Sequence, residues 1–97
     1  MFNQLDPLLH SQLRLAIMSL LVSVEHAEFT FIQEKTRATP GNLSVQLNKL
    51  KDAGYVAVTK SFKKNYPLTT CKATAKGIKA FEGYVQALQE YLHVKKT

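Results

Sequence analysis

The stretch from Thr39 to Thr59 constrains the fold more than any other part of this chain. Thr39-Pro40 predicts a helix start, because threonine caps a first turn and proline is tolerated at the first helical position. Three leucines then form an inner stripe at helical spacing: Leu43, Leu47 and Leu50. Gly54 predicts that this helix ends near Ala53, and the alternating, β-branched residues 55–59 predict a strand. The other segments must therefore pack around a helix that leads directly into a strand.

The remaining segments predict three more helices and a second strand. The helices are expected at about residues 7–24, capped by Asp6, at 31–36, capped by Thr30, and at about 75–94, capped by Thr74. Residues 25–28 and 37–38 are predicted as turns, residues 61–67 as a basic hairpin turn and residues 68–73 as the second strand.

This order of elements predicts one domain over residues 1–97, mainly α with a small β-hairpin. The expected fold class is a winged helix-turn-helix, with a three-helix core, a two-stranded wing and a long C-terminal helix. The apolar run from Ile17 to Val24 is too short to span a bilayer, and no small-residue cleavage site with a preceding basic region is found. Cys71 is the only cysteine, which excludes an intramolecular disulfide and fits a reducing compartment. We therefore expect a cytoplasmic protein.

The positive charge is concentrated in the middle of the chain. The formal net charge is +6, yet residues 35–79 carry ten basic side chains and one acidic side chain, Asp52. The basic residues are Lys35, Arg37, Lys49, Lys51, Lys60, Lys63, Lys64, Lys72, Lys76 and Lys79. Charge concentrated in this way favours a polyanionic partner, of which nucleic acid is the commonest, although a solubilising surface would have a similar composition.

The helix over residues 40–53 has an outward face that is polar, rich in amides and free of acidic residues before Asp52. Asparagine and serine side chains can hydrogen-bond base edges, a valine can contact a thymine methyl group, and lysines suit phosphates. The predicted DNA-binding residues on this segment are Thr39, Asn42, Ser44, Val45, Gln46, Asn48 and Lys49. Those of the wing are Lys60, Lys63 and Lys64. We expect Phe62 to pack beneath the hairpin. For residues 40–53, the alternative interpretation is an ordinary amphipathic surface helix that does not bind DNA.

The run from Thr39 to Val56, preceded by Phe29-Thr30-Phe31-Ile32, resembles the helix-turn-helix of the MarR and ArsR regulators. These families combine a Ser/Thr-rich helix start with Leu-x-x-Leu, an acidic residue, Ala-Gly and an aromatic residue or leucine before valine. Thr74-Ala75-Lys76-Gly77 is similar to the Thr-x-x-Gly with which their post-wing helix begins. The likeness to the compact MarR-like proteins covers roughly residues 5–92 and is most specific from Leu43 to Val56.

This resemblance implies a dimeric, sequence-specific and usually repressing DNA-binding protein. It assigns base reading to Asn42, Ser44, Val45 and Gln46, and phosphate contacts of the wing to Lys60, Lys63 and Lys64. Val45 and Asn48 stand where the family often has arginine or lysine, so the resemblance does not supply the usual arginine–guanine contact.

The last predicted helix carries two apolar stripes about 100° apart. One consists of Ile78, Phe81, Val85, Leu88 and Leu92, and the other of Ala80, Tyr84, Ala87 and Tyr91. One stripe can cover the monomer's own core and the other then needs a partner, unless the two form a single broad core face. The expected dimer contacts are Leu8, Leu15, Tyr84, Ala87, Leu88 and Tyr91, from the N- and C-terminal helices.

The remaining chemistry-bearing residues form no motif. His10, His26 and His93 match no metal-ligand spacing, and no nucleophile–base pair, phosphate loop or carboxylate pair is present. We expect neither an enzyme nor a cofactor or metal. Three functions stay open: a homodimeric regulator on a near-palindromic DNA site, a winged-helix protein-interaction module without DNA binding, and an RNA or single-strand binder. A small-molecule effector of unidentified chemistry is left open as a further partner of the regulator.

Overall fold

The computed structural model describes residues 2–93 and confirms the winged helix fold. Its elements are α1 (Gln12–Val22), β1 (Ala27–Glu28), α2 (Phe29–Thr36), α3 (Pro40–Asp52), β2 (Val56–Lys63), β3 (Tyr66–Ala73) and α4 (Ala75–Leu92). The strands form one antiparallel sheet in the order β1-β3-β2. The last helix was predicted to reach Val94, and that position lies outside the described residues.

Two of the three helices with a predicted threonine cap begin where the sequence indicates. The hydroxyl of Thr39 accepts a hydrogen bond from the Asn42 amide, and that of Thr74 accepts one from the Gly77 amide. Each bond satisfies one of the backbone donors that a helix start leaves without a partner. The left-handed Arg37, with φ of 59°, forms the tight turn between α2 and α3.

The start predicted for the first helix is wrong. Asp6 does accept a hydrogen bond from the Leu8 amide, but the turn it caps ends at Leu9, which is fully buried. Ser11 is extended, with φ of −153°, so it interrupts the helical path and becomes the cap of α1 itself. The helix therefore runs over Gln12–Val22 instead of residues 7–24.

The predicted turn at residues 25–28 ends in a short strand, β1. Ala27 pairs with Cys71 and Glu28 with Thr70, which adds a third strand to the expected two-stranded wing. Because α2 starts directly after this strand, Glu28 and not Thr30 is its cap residue, and its side chain makes no capping bond.

The hairpin is longer and its turn tighter than residues 61–67 suggested. Lys63 pairs with Tyr66, which leaves only Lys64 and Asn65 in the turn, with φ of 51° and 69°. Two consecutive positive φ values define the two-residue turn whose twist matches that of paired strands. The predicted turn was too wide because the polar residues that flank it belong to strands beyond the core.

The core forms where α1 meets α3 and the root of the sheet. Buried side chains of α1 contact the leucine stripe of α3, and the sheet adds four further buried residues. These groups are Ile17, Met18 and Leu21 of α1, Leu43, Leu47 and Leu50 of α3, and Ala27, Val56, Cys71 and Ala73 of the strands.

The start of α4 lies against the root of β2. The Thr74 hydroxyl donates to the Gly54 carbonyl at 2.6 Å, and the Thr74 amide donates to the Tyr55 carbonyl at 3.0 Å. A Cβ atom on Gly77 would lie 2.1 Å from that same Tyr55 oxygen. Only glycine permits this approach, so the side of α4 that carries position 77 must face the domain.

The orientation at Gly77 determines which stripe of α4 is covered. Tyr84 lies two turns further along the same side and is 4 % exposed, and Ala87 is 7 % exposed. The structure thus buries Tyr84 and Ala87, both predicted to face a partner, against the rest of the monomer. Three residues of the other stripe remain exposed: Ile78, Val85 and Leu92.

The N-terminal segment is tied to the rest of the domain by tyrosine side chains. The Tyr55 hydroxyl donates to Asp6 Oδ2 at 2.6 Å, and the Tyr91 hydroxyl donates to the Asn3 carbonyl at 3.2 Å. The hydrogen bond to Asp6, together with burial and the carboxylate charge, raises the pKa of Tyr55 to about 12. Tyr55 therefore keeps its donor proton at a pH where an ordinary tyrosine already ionises.

We predict that Gly77→Ala destabilises the domain strongly, because its methyl group must displace the backbone at Tyr55. The expected loss in the free energy of unfolding is about 1–3 kcal/mol. Gly83→Ala is the matched control on the same helix, since nothing lies within 4 Å of the position that its methyl group would occupy. The control should raise stability by about 0.5–1 kcal/mol. Urea unfolding followed by circular dichroism at one protein concentration measures both, and similar effects of the two changes would contradict the account.

Candidate DNA interface

The outward face of α3 is solvent-exposed along its length, as the leucine stripe on its other side requires. Asn42, Ser44, Val45, Asn48 and Lys49 are all exposed. Val45 is 50 % exposed although it is apolar, so it offers a methyl-bearing surface in the middle of a polar face. Thr39 stands at the start of this helix, where its hydroxyl is engaged in the cap with Asn42.

The structure brings part of this face together with the wing. Ser44 and Asn48 of α3 line a groove of about 300 Å³ whose opposite wall includes Lys60 of β2 and Thr69 of β3. Lys60 shares a face of β2 with the core residues Val56 and Val58, since alternate residues of a strand point the same way. Lys60 is therefore the wing lysine on the side of α3.

The two lysines at the tip of the wing are arranged differently. Lys63 follows the opposite parity along β2, and its side chain lines a groove with His26 and Glu28. Lys64 lies in the two-residue turn. The three predicted wing cations are thus distributed along the wing instead of forming a single cluster beside α3.

Phe62 does not pack beneath the hairpin, as the sequence led us to expect. It is 78 % exposed, and Tyr66 beside the turn is 76 % exposed. The wing extends past the core, so the inward parity that buries Val56 and half-buries Val58 has no neighbouring element to cover Phe62. The wing tip therefore presents two aromatic rings, one on either side of Lys63 and Lys64 in the sequence.

Gln46 is held on the inner edge of the α3 face and is half-buried. Arg14 of α1 donates through Nη1 to Gln46 Oε1, and Gln46 Nε2 donates to Asn42 Oδ1 at 3.1 Å. Arg14 Nε donates at the same time to the Leu8 carbonyl at 2.6 Å. Sequence reasoning missed this role of Arg14, although a charged residue within an apolar helix signals that a partner is needed.

The ten basic side chains of residues 35–79 are all exposed. They lie on α2, α3, both long strands, the wing turn and the first turns of α4, as well as at Arg37. Two of them also sit over aromatic rings, Lys35 over Phe31 at 5.6 Å and Lys76 over Tyr55 at 5.8 Å. The predicted concentration of positive charge is therefore a surface property and available to a polyanion.

The exposed stripe of α4 forms a second candidate surface. Leu92 is 68 % exposed, and Ile78 and Val85 are each more than one-third exposed on the same line of the helix. Phe2 stacks on Tyr91 at 4.6 Å between ring centroids and extends the apolar surface near the end of the helix. Leu8, Leu15 and Leu88, predicted at a dimer interface, are half-buried against the core.

Within residues 2–93, no group of three or more His, Cys, Asp or Glu side chains is arranged to hold a metal ion. Over the same range, no helix has the length and apolar character that a membrane crossing needs. Cys71 is fully buried in the described fold, and this burial raises the pKa of its thiol.

Comparisons with known proteins agree with this geometry. An uncharacterised protein of Methanocaldococcus jannaschii is 40 % identical over 76 residues, which cover 78 % of this chain and 83 % of that protein. The solved structure of a transcriptional regulator homologue from Pyrococcus horikoshii superposes with a TM-score of 0.82 at 28 % identity, covering 88 % of this chain and 84 % of that one.

NadR, solved in complex with 4-hydroxyphenylacetate, has a TM-score of 0.72 at 22 % identity. The match covers 89 % of this chain and 63 % of NadR, and it shows a shared fold. The resemblance to winged helix-turn-helix regulators, inferred from the run around α3, is confirmed. The model of the winged helix DNA-binding domain family matches residues 13–92. The protein belongs to this family of winged helix DNA-binding domains.

Proposed function

We propose that this protein is a sequence-specific, homodimeric regulator of transcription that represses by occupying a near-palindromic site on duplex DNA in the cytoplasm. The observation that carries the proposal is the shared groove of Ser44, Asn48 and Lys60, where the polar face of α3 meets a cation of the wing. A base-reading helix and a phosphate-binding strand have to contact the same stretch of duplex. Residues of α3 and of β2 line this groove together, which supports these roles for the two elements.

In this proposal α3 enters the major groove with its exposed face. Amide and hydroxyl groups of Asn42, Ser44 and Asn48 hydrogen-bond base edges, and Val45 contacts a thymine methyl group. Lys49 and Lys60 bind phosphates on either side of the groove, and Lys63 and Lys64 extend the phosphate contacts along the wing. Gln46 acts mainly through Asn42, because Arg14 and Asn42 already occupy its amide.

The apolar stripe of α4 supports the dimer. Ile78, Val85 and Leu92 recur every seven residues, the spacing at which two helices pack along a common line. In a two-fold dimer on a near-palindrome, two copies of α3 would enter successive major grooves, about 34 Å apart. Such a pair reads a near-palindrome, whereas a single α3 reads only one half-site.

A groove of about 680 Å³ lies between the N-terminal segment and α4, lined among others by Leu5, Asp6, Tyr84 and Glu90. Its walls adjoin the proposed dimer surface, so a small molecule bound there would act on the relative placement of the two α3 helices. NadR, which has the same fold, binds 4-hydroxyphenylacetate. We therefore propose that an effector of unidentified chemistry binds in this groove.

Mutations should separate the base contacts proposed for α3 from the phosphate contacts proposed for the wing. Ser44→Ala removes a group proposed to contact a base, so it should weaken binding to the preferred duplex by about 1–3 kcal/mol and leave random duplex almost unchanged. Lys63→Ala combined with Lys64→Ala should weaken both duplexes alike, because phosphates carry no sequence information. Fluorescence anisotropy with both duplexes measures the effects.

Ser19→Ala, an exposed serine of α1 away from α3, is the matched control for Ser44→Ala and should change neither affinity. Equal losses on both duplexes for the serine and the lysine variants would contradict the division of roles between α3 and the wing.

We expect the wild-type protein to sediment at micromolar concentration with twice the chain mass. Val85→Glu should shift it to the monomer, since a carboxylate in an apolar helix contact has no compensating partner. Thr59→Glu, an exposed position on the wing, adds the same charge and should leave the dimer intact. A wild-type monomer, or a Val85→Glu protein that remains dimeric, would rule out the α4 stripe as the interface.

A further inference from the structure

Arg14 connects three parts of the domain that are distant in sequence. Its guanidinium donates to the Leu8 carbonyl in the N-terminal turn and to the Gln46 side chain on α3. Gln46 in turn donates to Asn42, one helical turn earlier and on the proposed base-reading face. A continuous chain of hydrogen bonds therefore runs from the backbone of the N-terminal turn to the reading surface.

The chemistry of Arg14 fixes the direction of every bond in this chain. A guanidinium carries donors and no acceptor, so only the oxygen of the Gln46 amide can face it. The Gln46 nitrogen must then be the atom that faces Asn42, and because that nitrogen only donates, the Asn42 atom opposite must be its oxygen. Neither amide can turn over without placing a donor against a donor.

We propose that Arg14 is a positioning residue for base recognition, which fixes the Gln46 and Asn42 amides so that Asn42 presents its Nδ2 amino group to the DNA. This inference rests on the proposed function, because it assumes that α3 reads a duplex. Arg14 itself does not need to touch DNA in this arrangement. Its contribution is to choose which of the two ends of the Asn42 amide is turned toward the major groove.

The fixed orientation determines the class of base edge that Asn42 reads. The paired contact with adenine needs a donor and an acceptor from one amide, and here the acceptor Oδ1 is turned toward Gln46. The two Nδ2 protons instead match a base edge made of acceptors, which guanine offers with O6 and N7. Asn42 thus takes a role that an arginine or lysine side chain would otherwise fill.

The test begins with duplexes selected from a random-sequence pool by the wild-type protein. Single-base variants of the selected site are then compared between the wild-type protein and Asn42→Ala, and the base pair at which Asn42→Ala loses discrimination is the one that Asn42 reads. We expect guanine at this position. An adenine there, lost on Asn42→Ala, would overturn the proposed amide orientation.

The decisive variant is Arg14→Met, which keeps an unbranched apolar stem and removes the hydrogen-bond donors. We expect it to reduce discrimination at the Asn42 base pair roughly five- to hundredfold, the range for one lost base contact, while discrimination at other positions of the site is retained. Lys35→Met is the charge control, since Lys35 is an exposed cation of α2 with no contact to α3 amides. It should lower affinity for all duplexes by a common factor.

A double-mutant cycle separates positioning from an independent contact. Once Asn42→Ala is present, Arg14→Met should cause no further loss of discrimination at that base pair; additive losses would mean that Arg14 acts on DNA by itself and would overturn the proposal. A folded Arg14→Met protein with wild-type discrimination would overturn it as well. If Arg14→Met does not fold, Arg14→Lys replaces it. Discrimination at the Asn42 base pair must again fall, because one ammonium cannot bind both the Leu8 carbonyl and the Gln46 side chain as the guanidinium fork does.

The result for the wild-type protein distinguishes a failure of sequence-specific base reading from a failure of the role proposed for Arg14. A wild-type protein that binds duplex without any base preference would contradict sequence-specific reading, and with it the role of Arg14. A wild-type protein with a clear preference that Arg14→Met leaves intact would contradict the role of Arg14 alone.

Discussion

The close approach of Gly77 to the Tyr55 carbonyl determines how the functional surfaces of this domain are arranged. A side chain at position 77 would collide with the backbone at 2.1 Å, so α4 can leave the sheet in only one orientation. That orientation buries Tyr84 and Ala87 and leaves Ile78, Val85 and Leu92 exposed. The same junction closes the root of the wing, because Thr74 bonds to Gly54 and Tyr55 just before β2. The position of the wing relative to α3 and the surface available for a partner thus have a common structural cause.

The parts of the fold that the sequence predicted correctly depend on local rules. The cap at Thr39, the leucine stripe of α3 and the stop at Gly54 each involve residues within one or two helical turns, and all three are confirmed. The errors involve contacts between distant segments. The strand β1 exists only because Ala27 finds Cys71, and the stripe of α4 that is covered depends on Tyr55, more than twenty residues before it. The wing aromatics were misplaced because strand parity alone does not show where the core ends.

The candidate interface was predictable at the level of its elements and less so in the contacts between its side chains. Exposure of the α3 face and of the basic residues follows from the helical pattern and from charge, and the structure agrees with both. The link from Arg14 to Gln46 and Asn42 was not predictable, since it joins side chains 32 residues apart whose packing depends on the whole fold. It adds a level of control to the proposed reading helix: α1 both supports α3 through the core and orients its amides. The N-terminal turn is part of the same network, because Leu8 accepts from Arg14 while Asp6 accepts from Tyr55.

The central claim is that the exposed cations on this fold bind the phosphates of duplex DNA, and a salt series tests it most directly. If each subunit meets about three phosphates, a dimer meets about six, and the logarithm of the binding constant should fall with the logarithm of salt concentration with a slope near −5. We predict measurable binding to arbitrary duplex at about 50 mM salt and its progressive loss as salt rises, with single strands and RNA hairpins of equal length bound more weakly. No detectable duplex binding at about 50 mM salt would contradict the account and favour a protein-interaction module, and a preference for the single strands or hairpins would favour an RNA or single-strand binder.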